Sequence, residues 1–585
     1  MKNPFKIIFF LSLSLPLVGQ SDDGDEPDIR RPQPGKQERS RDSLEGEEER
    51  EARRKLREEL NEESGAPVAR SIDGYGNHTE DPALGMVDQP FARMFEEDYA
   101  DDIEEPAGGD RESARLISNE VAAQEDDMPN RRGATDFLWQ WGQFLDHDIT
   151  ETPTVDPAEA FDIEVPTGDE YFDPYSTGEE TIPLDRSFYE YDEDGVRQQI
   201  NEITAFIDAS QVYGSDEVRA LNLRKQDGSG EMKVTASDFG DLLPYNEYGE
   251  ENAPSTDSSW FLAGDIRVNE QAALTAMHTL FVREHNHWAA RFLAENEGAS
   301  DDEVYEFARM IVGAEMQQIT YREFLPILLG QDALPPYRGF REERDPTIFN
   351  EFATGAFRFG HSLMPNTILR VDADGETAES GNLELADAFF DPSIVAEDGI
   401  DNLLRGLAAQ RCQELDGKVV DALRNFLFGP AGSGGLDLVA LNLQRGRDHG
   451  LPSYNAVREA LGMRPAKRFR DVNPDREVQK ALRAAYDSVD DIDLWVGGLS
   501  EPHVRGGMVG PVFHQIISRQ FRVLRDGDAF WYENKLPPEL LDLVREQTLS
   551  KIIRRNTDIG DELSENVFLM APDEDSRSSG RRRPR

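Results

Sequence analysis

The stretch WQWGQFLDHDITET, Trp139 to Thr152, gathers an amide, carboxylates and an imidazole among aromatic residues. On a helix Gln143, Asp146 and His147 stand at i, i+3 and i+4 and share one face, while Asp148 points elsewhere at the helix end. Polar groups beside an apolar stripe are costly unless they have partners. The cluster therefore favours a chemical site over a single satisfied core histidine.

Four more stretches carry candidate groups. In ITAFIDASQVYGS, Thr204, Asp208 and Ser210 place hydroxyl and carboxylate oxygens at short spacings that suit a hard cation such as calcium. The same pattern fits an ordinary Asp/Ser turn, and it is not an EF-hand loop. In AGDIRVNE, Arg267 and Glu270 stand three apart at the start of a long helix, which also describes a surface ion pair. In AFRFGHSLMP, His361 ends a Gly-interrupted apolar run, where a buried structural histidine is the plain alternative. In LDLVALNLQRGRDHGLPSYN, Asn442, Arg445, Arg447, Asp448 and His449 form a tight polar run.

The elements that must hold these groups read as helices joined by long loops. Phe137, Leu138, Trp141, Phe144 and Leu145 recur at helical spacing, and Glu270 to Asn296 is a long amphipathic pattern. DEVYEFARMIVGAEMQQITYREFLPILLG is another, and VVDALRNFLFG ends on a glycine stop. Residues 152–197 are acidic, aromatic and rich in Pro and Gly, which predicts a long surface loop. His278 and His285, seven apart in the long helix, read as structural, with His287 off their face.

The chain has 585 residues, 38% hydrophobic and 30% charged, with a formal charge of −54. That balance opposes nucleic acid and anionic membrane surfaces as partners. Lys2 and Lys6 precede an apolar run from Ile7 to Val18, the layout of a signal peptide over residues 1–20. No other segment is long and apolar enough to span a bilayer. Residues 21–68 form an acidic, low-complexity leader expected to be disordered, and residues 573–585 a basic tail. The single cysteine, Cys412, rules out an internal disulfide and thiolate zinc or iron–sulfur sites. These features predict an exported, soluble protein. Nothing here sets an oligomeric state.

The stretches SIDGYGN, WGQFLDHD, FIDASQVYGS, AGDIRVNE, MHTLFVREHN, FRFGHSL, LNLQRGRDHGLPSYN and QFRVLRDGDAFWYEN, in this order, resemble the animal-type haem peroxidases, the superfamily of myeloperoxidase, lactoperoxidase and peroxidasin. The resemblance implies one large, mainly α-helical domain with little β-structure over residues 69–572. With the signal peptide and no disulfide, it points to a bacterial, secreted member.

By position, the resemblance makes His147 the distal histidine that shuttles the peroxide proton. Arg267 becomes the distal arginine, and Gln143 the distal amide that holds water or halide. It makes Asp146 and Glu270 the carboxylates esterified to haem b, His361 the iron ligand, and Asn442 the acceptor of that histidine's other ring N–H. Arg358 and Arg445 fall where the family contacts the haem. Asp148, Thr204, the Phe206 carbonyl, Asp208 and Ser210 match a calcium site. Hydrogen peroxide with bromide, iodide, thiocyanate or phenols would be the substrates. Such chemistry needs a neutral imidazole beside the peroxide, a fixed cation where charge develops, and a partner that sets the ligand's tautomer.

Two departures matter. Gln271 stands where myeloperoxidase has a sulfonium-forming methionine, which limits the expected haem links to two esters and weakens the case for chloride. Arg358 stands where the fatty-acid dioxygenase branch has a tyrosine, which argues against that activity. A non-catalytic adhesion or matrix role is the remaining alternative, and an intact His147, Arg267 and His361 set opposes it.

Overall fold

Helix α1, Phe137–Ile149, forms because one stripe of it leaves water. Phe137, Leu138, Trp141, Phe144 and Leu145 are wholly buried, each contributing about 1.5–3 kcal/mol. The Trp141 ring meets those of Phe144, Phe281 and Phe568 at 6.0, 5.9 and 6.1 Å. Its indole N–H donates to Thr320 Oγ1 at 3.2 Å, so the polar edge of the ring is satisfied. The helix stops where the β-branched Thr150 turns extended.

The computed structural model describes residues 69–124, 126–429 and 435–571. The expected signal peptide, acidic leader and basic tail lie outside these residues. Within them the fold is mainly helical, as expected, and no helix is long and apolar enough to cross a membrane. Cys412 is buried and unpaired with any other cysteine.

Helix α2, Ala272–Glu295, starts later than the sequence pattern suggests. Gln271 caps it from an extended backbone, its side-chain oxygen accepting from the Ala273 N–H at 2.7 Å. Glu270 therefore lies in the preceding turn, its N–H bonded to the Arg267 carbonyl at 2.9 Å. Helix α3, Asp301–Ile319, packs along α2, with Phe292 stacked on Phe307 at 4.2 Å. A capping box of Ser300 and Glu303 opens α3, and its three first-turn acids favour the positive end of the helix dipole.

Helix α4, Leu438–Asp448, is capped by Asp437, and α5 spans Pro511–Asp526. Between them in space lies an irregular segment. A π-helical turn, Glu351–Gly355, runs into a 3-10 helix, Ala356–Ser362, that packs on both α1 and α5. Such turns often mark functional places, and this one carries Arg358 and His361.

The segment 152–197 is less irregular than its composition suggests. Ile163–Glu164 pairs antiparallel with Thr181–Ile182. A three-stranded sheet has the order β1 (Gln89–Pro90), β3 (Arg197–Asn201), β2 (Tyr189–Tyr191). Its central strand is buried along its length because Gln198 and Gln199 pair with Arg93, whose guanidinium also reaches the His449 carbonyl at 2.9 Å.

Candidate active site

Helix α1 delivers its polar face to two places at once. Gln143 donates to Glu270 Oε1 at 2.9 Å. The amide of Gln271 donates to Gln140 Oε1 at 2.6 Å and to Gln143 Oε1 at 3.0 Å. The residue that caps α2 thus also fixes which way the Gln143 amide points. Asp146 lines a cleft of about 120 Å³ together with Arg267, Arg358 and Arg445.

His147 Nδ1 lies 3.4 Å from Asp265 Oδ1. Asp265 also forks Arg267, with Nε at 2.9 Å from Oδ1 and Nη2 at 2.6 Å from Oδ2. The second partner of Nη2 is the Thr150 carbonyl at 2.9 Å, at the end of α1. The alternative, a surface pair of Arg267 with Glu270, is not made; Asp265 takes the guanidinium instead. Asp265 was not among the sequence candidates. An acid two residues before the arginine was the available signal, and it reads equally as a turn residue.

Burial, then the Arg267 cation, holds His147 well below the ordinary imidazole value, so it is neutral. Burial alone would raise Asp265, yet the Arg267 cation and its hydrogen bonds hold it well below the usual carboxylate range. Burial favours the neutral form of Arg267, and Asp265 more than reverses this. Burial lifts Glu270 to about 7, and it also raises Asp146 against the pull of Arg267 and Arg358.

On the other side, His361 sits on the 3-10 helix with its Nδ1 2.7 Å from Asn442 Nδ2, on α4. The pairing is the expected one with its direction reversed. The Asn442 oxygen accepts from Arg358 Nη1 at 3.1 Å, so the amide nitrogen faces the imidazole. A charged guanidinium outcompetes a neutral ring N–H for that oxygen. Burial, then Arg358, pushes His361 down to about 3.

Arg445 donates to Ser187 Oγ, the Asp185 carbonyl and Asp448 Oδ2, each at 2.9 Å. His449 Nε2 lies 2.8 Å from the same Ser187 hydroxyl and its Nδ1 2.8 Å from Asn350 Oδ1. His449 thus anchors the polar turn and, through Ser187, Arg445. The histidines of α2 take structural places. His285 bridges Tyr213 and the Gly230 carbonyl, both at 2.9 Å, and His278 packs edge-on against Phe144.

Asp148 leaves the shared face as expected. Its Oδ1 accepts from the Ser210 N–H at 2.6 Å, and its carbonyl from the Ser210 hydroxyl at 2.8 Å. Thr204 Oγ1 lies 3.2 Å from Asp208 Oδ1, which also accepts from the Ser210 N–H at 3.2 Å. Phe206, on the same turn, buries its ring under the Arg70 guanidinium. Burial raises Asp148 well above its ordinary value, with Asp208 adding to it, and lifts Asp208 to about 6. Two adjacent buried carboxylates, one with an oxygen lacking a partner among the described residues, suit a hard cation held by oxygens. Only two carboxylates take part, so no cluster of three or more acidic, His or Cys side chains marks the place.

Ala209 holds the turn with φ +66°, a strained value for a side-chain residue. A Cβ on Gly264 would stand 2.2 Å from the Ser210 carbonyl oxygen. Only glycine lets the segment carrying Asp265 and Arg267 lie this close to the turn that holds Asp208 and Ser210.

The animal haem peroxidase family model matches residues 69–568. The chain belongs to that family. It is 37% identical over 522 residues to peroxinectin A of Dictyostelium discoideum, covering 85% of this chain and 95% of that one. It is 35% identical over 555 residues to Drosophila melanogaster peroxidasin, covering 86% of this chain and 36% of that much longer protein. The solved structure of peroxidase A from Dictyostelium discoideum superposes with a TM-score of 0.80 at 36% identity, covering 86% of this chain and 99% of that one. A likeness to Oryza sativa fatty acid alpha-dioxygenase is one of fold alone, with a TM-score of 0.72 at 22% identity over 87% of this chain and 88% of that one. The protein is a haem peroxidase, and haem is its cofactor.

The residues present fit such a group. His361 is held through Nδ1 by Asn442; for its Nε2 to bind iron, Nδ1 must donate, which requires the Asn442 oxygen to turn to it. Arg358 and Arg445 line the cleft and would meet the acidic side chains of the haem, and burial raises both Asp146 and Glu270 above ordinary carboxylates.

Proposed function

We propose that the cleft uses hydrogen peroxide to oxidise bromide, iodide or thiocyanate to hypohalous acids, with phenols as one-electron donors. The observation that carries the reading is the placement of Asp265, which forks Arg267 and stands 3.4 Å from His147 Nδ1. Haem bound through His361 would supply the redox chemistry. His147 Nδ1 faces Asp265, so its Nε2 keeps a free lone pair to take the peroxide proton and return it to the leaving oxygen. Arg267 supplies a fixed cation where negative charge develops, and Gln143 a polar contact for water or substrate. Asn442 orients His361, and Arg358 and Arg445 would hold the haem edge. Arg358 where a tyrosine radical would be needed speaks against dioxygenase chemistry.

The reading includes ester links from Asp146 and Glu270, a calcium ion on Asp148, Thr204, the Phe206 carbonyl, Asp208 and Ser210, and secretion after loss of residues 1–20. The peroxidase domain would span 69–572.

An absorption spectrum tests the main reading. The ferric haem band should change on one equivalent of peroxide and recover on adding bromide or thiocyanate. A band that recovers with a phenol and never with an anion would leave a phenol peroxidase. The links have their own test. Haem should stay with the denatured chain on an acid-solvent column, and the pair Asp146→Asn with Glu270→Gln should release it. Free haem from the parent protein would remove the esters.

A further inference from the structure

Glu151 is a second carboxylate of the cleft that neither the sequence motifs nor the reaction above use. It lines the same cavity as Asp146 and Arg267, and its side chain is only partly buried. Its backbone is pinned on both sides. The N–H donates to Asn201 Oδ1 at 2.8 Å, and the carbonyl accepts from the Glu202 N–H at 2.9 Å. The end of strand β3 thus fixes the backbone that carries the side chain.

The charges around it decide what it does. Arg267 is its nearest strong cation in effect, with Asp265, Glu202 and Arg219 also acting on it. Arg267 is already matched by the Asp265 fork at 2.6 and 2.9 Å. Arg445 is matched by Asp448, and Arg358 is turned to Asn442. On the Arg267 side, one cation therefore faces two carboxylates. A small anion approaching Arg267 meets a net negative wall, whereas a neutral donor does not.

We propose that Glu151 sets donor choice in this cleft, disfavouring halide and thiocyanate anions against neutral phenols. The inference rests on the peroxidase reading of the cleft and refines its substrate class. Burial lifts the Glu151 carboxyl to about 7, so the discrimination operates fully in mildly alkaline buffer.

The test uses the haem-loaded full chain in such a buffer. The shift of the haem band gives the Kd of thiocyanate, and turnover gives kcat/KM for thiocyanate and for a neutral phenol. Glu151→Gln should tighten thiocyanate by about five- to tenfold at low ionic strength, the order expected for one unit charge in a half-buried cleft. The gap should shrink in concentrated sodium sulfate, which screens it. The ratio of thiocyanate to phenol kcat/KM should rise by a similar factor. Glu151→Asp keeps the charge and should stay within about twofold of the parent. An unchanged Kd in Glu151→Gln, an equal change for both donors, or no binding in either protein would overturn the inference. If thiocyanate binds more tightly in the variant yet neither protein oxidises it, the inference stands and the halide reading falls.

Discussion

His147→Ala should slow the reaction of the ferric enzyme with hydrogen peroxide by about 10²–10⁴-fold, the usual yield of one positioned acid–base group. Haem content should stay close to that of the parent, because His147 is not the proposed iron ligand. Stopped-flow decay of the haem band measures the rate, and a loss under about tenfold would remove His147 from the proton path. The expected size follows from its surroundings. Burial and the Arg267 cation keep the ring neutral, so it is ready to accept a proton. Asp265, held well below the usual carboxylate range, stays ionised and faces Nδ1 at 3.4 Å. It stabilises the imidazolium that forms for a moment and returns the proton path to rest. The pH dependence has a definite sign. A histidine whose value lies well below 6.5 does not become charged as pH falls through 6.5, so the parent rate should not drop there. A fall centred on the ordinary imidazole value would mean that the ring is solvated.

Calcium removal should have the second largest effect. Without the cation, Asp148 and Asp208 are two buried carboxylates side by side. An uncompensated buried charge costs about 3–5 kcal/mol, which for a chain of this length is a few degrees in Tm. The sign with pH is fixed by the raised values. At this pair the folded chelated protein holds protons more tightly than the unfolded chain, so the pair's contribution to stability is complete only below about 4. It loses stability as pH rises through about 6, the value for Asp208. Calcium removes that loss, so the Tm difference between loaded and chelated protein should widen across this window. Asp148→Ala should abolish the difference and lower haem content, since Asp148 adjoins His147 in the chain. A Tm indifferent to chelator at every pH would remove the calcium assignment.

Much of the fold was legible because its signals are local. The stripe of Phe137, Leu138, Trp141, Phe144 and Leu145 specified α1, and the i, i+3, i+4 spacing specified which of Gln143, Asp146 and His147 share a face. The start of α2 was misjudged by its apolar period, since a cap depends on backbone angles at Gln271 that periodicity does not carry. The short strands within 152–197 were missed for a similar reason. Their pairing is with chain neighbours that no two-residue pattern reveals.

The sequence by itself determined the family, the helical class and the residue types of the site, because eight ordered motifs leave little freedom. Tertiary structure decided the partners. Asp265 is chemically ordinary in the chain, and only the close approach at Gly264 brings it to both Arg267 and His147. Arg358 takes the Asn442 oxygen only because the 3-10 helix and α4 meet there. Glu151 opposes an anion only because the cleft places it beside a cation already neutralised by another acid. Charge and hydrogen-bond energies fall off within a few ångströms. Spacing along the chain therefore names the groups, and folding in three dimensions sets what each one does.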